Sequence, residues 1–129
     1  MIEVSTDVSG LLNLNKAWIA IDCGKVINPN TVRAQMEGGF TFGLSATLGE
    51  EITLKDGRVE QSNFHDYSIL RLKGSPEISV EIIESGNEIG GVGEVAVPLA
   101  APALTNAIFS SSGRRIRTLP LSKHGIKIT

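Results

Sequence analysis

The sequence predicts an α+β fold, a mixed and largely antiparallel sheet packed against two main helices, on three observations. Residues 2–6 and 12–22 alternate apolar and polar side chains on either side of Ser9-Gly10, the pattern of a hairpin with one buried face. Val32, Met36, Phe40, Gly43, Leu44 and Leu48 recur at steps of three and four, which puts them on one face of a helix. Residues 77–84, Glu-Ile-Ser-Val-Glu-Ile-Ile-Glu, alternate again, so this strand has one buried and one wet face. Taken with a second helical stretch, the order reads ββαβββαβ, which suits a layered α+β structure.

The elements follow in order. Leu12, Leu14, Ile19 and Ile21 form the inward side of the second strand. Asn28-Pro29-Asn30 starts the first helix, with Asn30 as the expected cap of its free N–H groups. Gly38, Gly39 and Gly43 each weaken a helix interior by about 1 kcal/mol relative to alanine. They imply something packed close to the backbone, either a sheet or a cofactor or partner. Lys55-Asp56-Gly57 predicts a hairpin turn between strands at 52–54 and 58–61. Residues 63–73 read as irregular. A glycine-rich loop spans 86–93. Ala103, Leu104, Ala107 and Ile108 mark the second helix, with Pro102 in its first turn and Gly113 at its end. Strands at 116–121 and 126–128 complete the chain, read as one domain over residues 1–129.

Composition removes several function classes. The chain has 129 residues, ordinary apolar and charged fractions and a net charge of -2. It lacks the positive field of a general nucleic-acid binder. The longest apolar stretch, 95–103, is broken by Pro98 and Pro102 and is far shorter than the ~20 residues of a membrane helix. No signal-peptide pattern opens the chain. The single cysteine, Cys23, allows no internal disulfide and suits a reducing, cytoplasmic setting, with the periplasm as the alternative for an intact enzyme.

Gly90-Gly91-Val92-Gly93-Glu94 is the most unusual stretch. Glycines let a backbone approach a ligand, and their N–H groups can face phosphate or oxo groups. Glu94, set among Val95, Ala96 and Val97, has two readings. Desolvation in an apolar pocket would suit it to general-base work, whereas a flexible turn would leave it solvated. His65-Asp66 reads as a histidine tying down its loop, or as an oriented imidazole–acid pair. His124 reads as exposed, and two histidines so far apart give no metal-site spacing. Cys23 reads as a buried, inert thiol. Arg114, Arg115 and Arg117 read as the wet face of an edge strand.

Five motifs, in this order, resemble the xanthine oxidase family. They are Asp22-Cys23-Gly24-Lys25-Val26-Ile27-Asn28-Pro29, Gln35-Met36-Glu37-Gly38-Gly39, Gln61-Ser62-Asn63-Phe64-His65-Asp66-Tyr67, Gly91-Val92-Gly93-Glu94 and Arg115-Ile116-Arg117-Thr118-Leu119-Pro120. More narrowly they resemble the C-terminal part of the large, molybdopterin-binding subunits of the isoquinoline 1-oxidoreductase and aldehyde oxidoreductase branch. The resemblance implies oxidation of an N-heterocycle or aldehyde with oxygen taken from water. It implies a molybdopterin cofactor, in bacterial members commonly the cytosine dinucleotide form. Glu94 is then the general base, Gln35 a cofactor contact, and Gly91, Val92 and Gly93 the loop lying against the cofactor. The implied partners are the remainder of a large subunit and an iron–sulfur small subunit. Val95-Ala96-Val97-Pro98-Leu99 departs from the Pro-Gly-Thr-Pro-Pro of many relatives, which bears on substrate specificity. The chain alone is too short for the complete enzyme. By itself it is expected to lack the cofactor and activity and to self-associate, with exchange of strands as one route.

Overall fold

The computed structural model describes residues 1–128. Strands β1 (Ile2–Thr6) and β2 (Leu12–Asp22) form the expected hairpin, and β2 is the centre of a three-stranded sheet ordered β1-β2-β5, with β5 at Glu77–Ile83. The sheet is mixed. β1 runs antiparallel to β2, while β5 runs parallel to it in the register Lys16 opposite Glu77 through Asp22 opposite Ile83. A small separate hairpin pairs β3 (Leu54–Lys55) with β4 (Arg58–Val59) antiparallel. Its turn residues Asp56 and Gly57 both have positive φ, 50° and 76°, which matches the twist of the flanking strands.

A bulge explains why the alternation in β2 changes phase. Glu3 faces Lys16 but Val4 faces Leu14, which leaves Asn15 as an extra residue. Buried positions therefore run Leu12, Leu14 and then Ala17, Ile19, Ile21. The Asn15 side chain fastens the bulge, donating to Glu3 (3.0 Å) and accepting from Ser5 (3.1 Å).

Helices α1 (Pro29–Leu48) and α2 (Val97–Ser112) cover one face of the sheet and pack against each other. The periodic face of α1 is buried as expected, from Val32 and Met36 through Phe40, Gly43 and Leu44 to Leu48. Its cap differs from expectation. Asn28, not Asn30, is the N-cap, and its side chain accepts from the amides of Asn30 and Thr31. Pro29 fits the first helical position because its missing N–H would be unpaired there anyway.

The second helix starts earlier than the sequence suggested. Pro98 occupies its first turn and Pro102 lies inside. The buried residues Ala96, Ala100, Leu104 and Ile108 are spaced by four, and the first two precede Pro102. Packing of that face against α1 carries the helix back past the proline, although Pro102 cannot donate to the turn before it. Gly113 ends the helix at φ 71° as expected.

No strand forms at 116–121 or 126–128. Ile116 and Leu121 are buried five residues apart rather than in alternation, and Pro120 has no amide to donate to a ladder. Leu121–His124 is a short 3-10 turn, and a single parallel bridge joins Leu12 to Ile128.

Candidate functional site

Two strand–loop–helix units lie side by side. β2 leads through residues 23–28 into α1, and β5 leads through 84–96 into α2. Because β2 and β5 are parallel, both loops leave from the same end of the sheet. Ligands of open sheets bind outside the carboxyl ends of parallel strands, where such loops diverge.

The two loops are tied together. The Asp22 carboxylate accepts from the amide of Gly24 (3.1 Å) and the side-chain amide of Asn87 (3.0 Å), and Ser85 also donates to it. These bonds, that of the Ser85 hydroxyl first, hold the Asp22 carboxyl below the ordinary range. The Gly90 amide donates to the Cys23 carbonyl at 2.9 Å. Gly24 has φ +70°, and a Cβ there would lie 2.2 Å from the Glu88 carbonyl oxygen, so only glycine allows the contact. Cys23 itself is buried, as expected.

Beyond this tie the chain passes from Gly91 to Ala96 and enters α2. Val92 packs half-buried on the core and Ala96 is fully buried beneath α1. Between them Gly93 and Glu94 face an open cleft of about 720 Å³, lined also by Gly38, Gly39, Phe42, Val95, Val97 and Pro98. The helix glycines now divide by role. A Cβ at Gly43 would lie 2.4 Å from the Val97 carbonyl oxygen, so this glycine serves helix–helix contact rather than the helix–sheet contact foreseen. Gly38 has nothing within 4 Å of that point and keeps the cleft open.

The cleft brings some of the sequence-predicted residues together. Gly93 and Glu94 line it. Gln35 does not line it, but is exposed on the same helical stripe, about one turn (~5.4 Å) before Gly38 and Gly39. Gly91 is exposed at the loop's approach, and among the described residues the amides of Gly91 and Gly93 donate to no protein acceptor. Those amides, the open side of the glycines and the N-terminal end of α2 fit a phosphate-bearing, oxygen-rich cofactor. Of the two readings of Glu94 the structure gives the solvated one, and the apolar pocket of the other is only a wall. Val95 is 47% exposed, Ala96 points into the core, and the Glu94 side chain stands at the rim, exposed. Among the described residues no group of three or more His, Cys, Asp or Glu is placed to hold a metal ion.

Three further expectations change. Asp66, not His65, ties down its loop, accepting from the Ser62 amide (2.8 Å), the Ser62 hydroxyl (3.0 Å) and the Asn63 amide (3.0 Å). His65 is exposed, with its ring 3.6 Å from Asp66. His124 is half-buried, its Nε2 2.9 Å from the Thr118 hydroxyl. The arginines lie on irregular chain rather than a strand, with Arg115 stacked 3.5 Å over the Phe109 ring and bonded to Asn106, and Arg114 donating to the His124 carbonyl.

Donation from the Asn63 amide and then the Ser62 amide lowers the Asp66 carboxyl to about 2. The folded value lies below that of the unfolded carboxyl, about 3.9. The loop's stabilisation is therefore complete above pH ~4 and lost as pH falls through ~2. An NMR titration of the Ser62 and Asn63 amides should show a midpoint near 2; a midpoint near 4 would refute the cap.

A family model described as molybdopterin cofactor-binding domain matches residues 1–76. Over 110 residues the chain is 39% identical to the isoquinoline 1-oxidoreductase subunit beta of Brevundimonas diminuta, covering 85% of this chain and 14% of that protein. It is 34% identical over 120 residues to a membrane-bound aldehyde dehydrogenase of Gluconacetobacter polyoxogenes whose name carries pyrroloquinoline-quinone, covering 92% and 16%. The crystal structure of quinoline 2-oxidoreductase from Pseudomonas putida 86 superposes with a TM-score of 0.80 at 27% identity, over 92% of this chain and 16% of that one. The chain thus spans about one sixth of the length of these proteins. Matched residues, superposed fold and glycine-lined cleft agree: the chain belongs to the molybdopterin cofactor-binding domain family, in the xanthine oxidase group of molybdenum enzymes.

Proposed function

We propose that this chain supplies the general base and part of the cofactor cradle of a molybdenum hydroxylase acting on an N-heterocycle or aldehyde. The observation that carries this reading is the cleft itself. Gly38 and Gly39 of α1 and Gly93 and Glu94 before α2 wall one space, with Gln35 one turn along. The matched family model favours molybdopterin over the quinone named for the Gluconacetobacter relative.

When bound, the molybdenum–pterin cofactor, expected as its cytosine dinucleotide, supplies the two-electron acceptor. The residues of this chain do the rest of the work assigned here. Gln35 and the amides of Gly91 and Gly93 hold polar groups of the cofactor, with Val92 anchoring the loop to the core. Phe42, Val95 and Pro98 offer an apolar wall that limits water. Overall one C–H bond of the substrate breaks and one C–O bond to a water oxygen forms, releasing two electrons and two protons. Glu94 takes the proton from the water-derived nucleophile. The electrons leave to an iron–sulfur subunit, and the remaining pocket walls belong to the rest of a large subunit.

The test is many turnovers of the cofactor-loaded enzyme in 18O-labelled water, so that the site refills from the solvent after each one. The product should carry the label, whereas product oxygen drawn from dissolved dioxygen would overturn the reading.

A second reading, a non-enzymatic module that keeps the fold and self-associates, rests on exposed apolar surface. Phe42 is 64%, Ile27 80% and Leu72 92% exposed, and among the described residues β5 has a strand partner on one side only. Such faces favour association. Light scattering at micromolar concentration should give a mass above one chain (13.7 kDa); a strictly monomeric mass would count against it.

A further inference from the structure

We infer that Asp22 is a positioning residue for Glu94, acting through the tie between the turn after β2 and the glycine loop. The inference rests on the proposed role of Glu94 for its functional meaning, but the tie itself stands on geometry. Glu94 lies on a short span with two fixed ends. At the far end Ala96 is buried and α2 is seated on Gly39 and Gly43. At the near end everything that holds residues 85–90 converges on residues 22–24.

The Asp22 carboxylate is the hub of that near end. One oxygen takes the Gly24 amide, which closes the local turn. The other takes the Asn87 side chain, 65 residues away in sequence. Ser85 adds bonds from its hydroxyl and amide. The closed turn in turn presents the Cys23 carbonyl to the Gly90 amide. It also presses the Cα of Gly24 against the carbonyls of Asn87 and Glu88. Lose the hub, and the loop between Glu84 and Val92 keeps only the Gly90 bond to a turn that is itself no longer closed. A base that must meet its proton within a few tenths of an ångström depends on such support.

The test has two readouts on three variants, Asp22→Ala, Asn87→Ala and Asp22→Asn. Asn87 is exposed, so Asn87→Ala leaves the core intact if Asp22→Ala fails to fold. Hydrogen exchange of the Gly90 amide in this chain should accelerate about tenfold in Asp22→Ala and Asn87→Ala, the loss expected for one bond to a charged group. Amides in the middle of β2 should not change. Asp22→Asn should recover most of the protection, because its amide still accepts from Gly24 and can pair with a reoriented Asn87. In the cofactor-loaded enzyme the two alanine variants should lower kcat by a similar factor with KM unchanged, and Asp22→Asn should restore it. Unchanged Gly90 exchange in Asn87→Ala overturns the tie, whatever Glu94 does. Faster exchange with unchanged kcat overturns the positioning role. Normal turnover in Glu94→Gln alongside faster Gly90 exchange would instead defeat the general-base reading and leave the tie standing.

Discussion

Gly43→Val should destabilise the fold by about 3 kcal/mol, the upper part of the range for overpacking a well-filled core. Even the first carbon of a side chain at Gly43 would lie 2.4 Å from the Val97 carbonyl oxygen and 2.8 Å from the Ala100 Cβ. The first of these is backbone and cannot rotate aside. The helices must separate, and Ala100, Leu104 and Ile108 then lose part of their contact with the core. Gly38→Ala should do the opposite. Nothing lies within 4 Å of its added carbon, so alanine's better helix propensity should stabilise by about 0.5–1 kcal/mol. Urea unfolding of the two variants measures both signs. Equal effects at the two positions would show that the division of the glycines into packing and cleft is wrong. The pair also separates stability from function. Gly38→Ala adds a methyl group to the cleft wall and should reduce cofactor occupancy in the loaded enzyme while making the helix more stable.

Much of this could be read from local pattern. The buried face of α1 was legible because a period near 3.6 needs no knowledge of what covers it. The Ser9-Gly10 turn and the Gly113 terminus were legible because each depends on one residue's backbone preference. What escaped depends on contacts between distant segments. The bulge at Asn15 became visible only once β1 was paired with β2. Pro102 looked like a helix start until Ala96 and Ala100 were seen to belong to the buried face. The C-terminal strands failed because the apolar letters at 116–121 do not reveal that Ile116, Pro120 and Leu121 are buried while Leu119 is exposed, which is no alternation.

The site divides in the same way. Glu94 stood out through its glycines, but its surroundings did not. The residues alone allowed either an apolar pocket or a solvated turn, and the structure gives the second, with Glu94 exposed at the rim. Asp22 and Gly24 had a readable signal, an aspartate two residues before a glycine at a strand end, which closes a local turn. Its extension to Asn87 had none. Phe42 was also missed as a cleft residue, because an aromatic outside the buried stripe of a helix reads as an ordinary exposed side chain.

The central claim is that Glu94 accepts a proton in the reaction at this cleft. Its carboxylate makes no hydrogen bond to the protein among the described residues, while its backbone carbonyl accepts from the Val97 amide at the start of α2. Glu94→Gln keeps the size and the backbone bond and removes the carboxylate's charge together with its ability to take a proton. Structural damage is therefore not a competing explanation for lost activity. General-base catalysis by a positioned side chain is worth roughly 10²–10⁴ in rate. A group needed only as charge moves in the transition state should act on kcat, with KM little changed. The deciding measurement is kcat per bound molybdenum for wild type and Glu94→Gln in the cofactor-loaded enzyme. The prediction is equal metal content and a fall in kcat on the order of 10²–10⁴-fold. Turnover within a few-fold of wild type at equal metal content would contradict the claim.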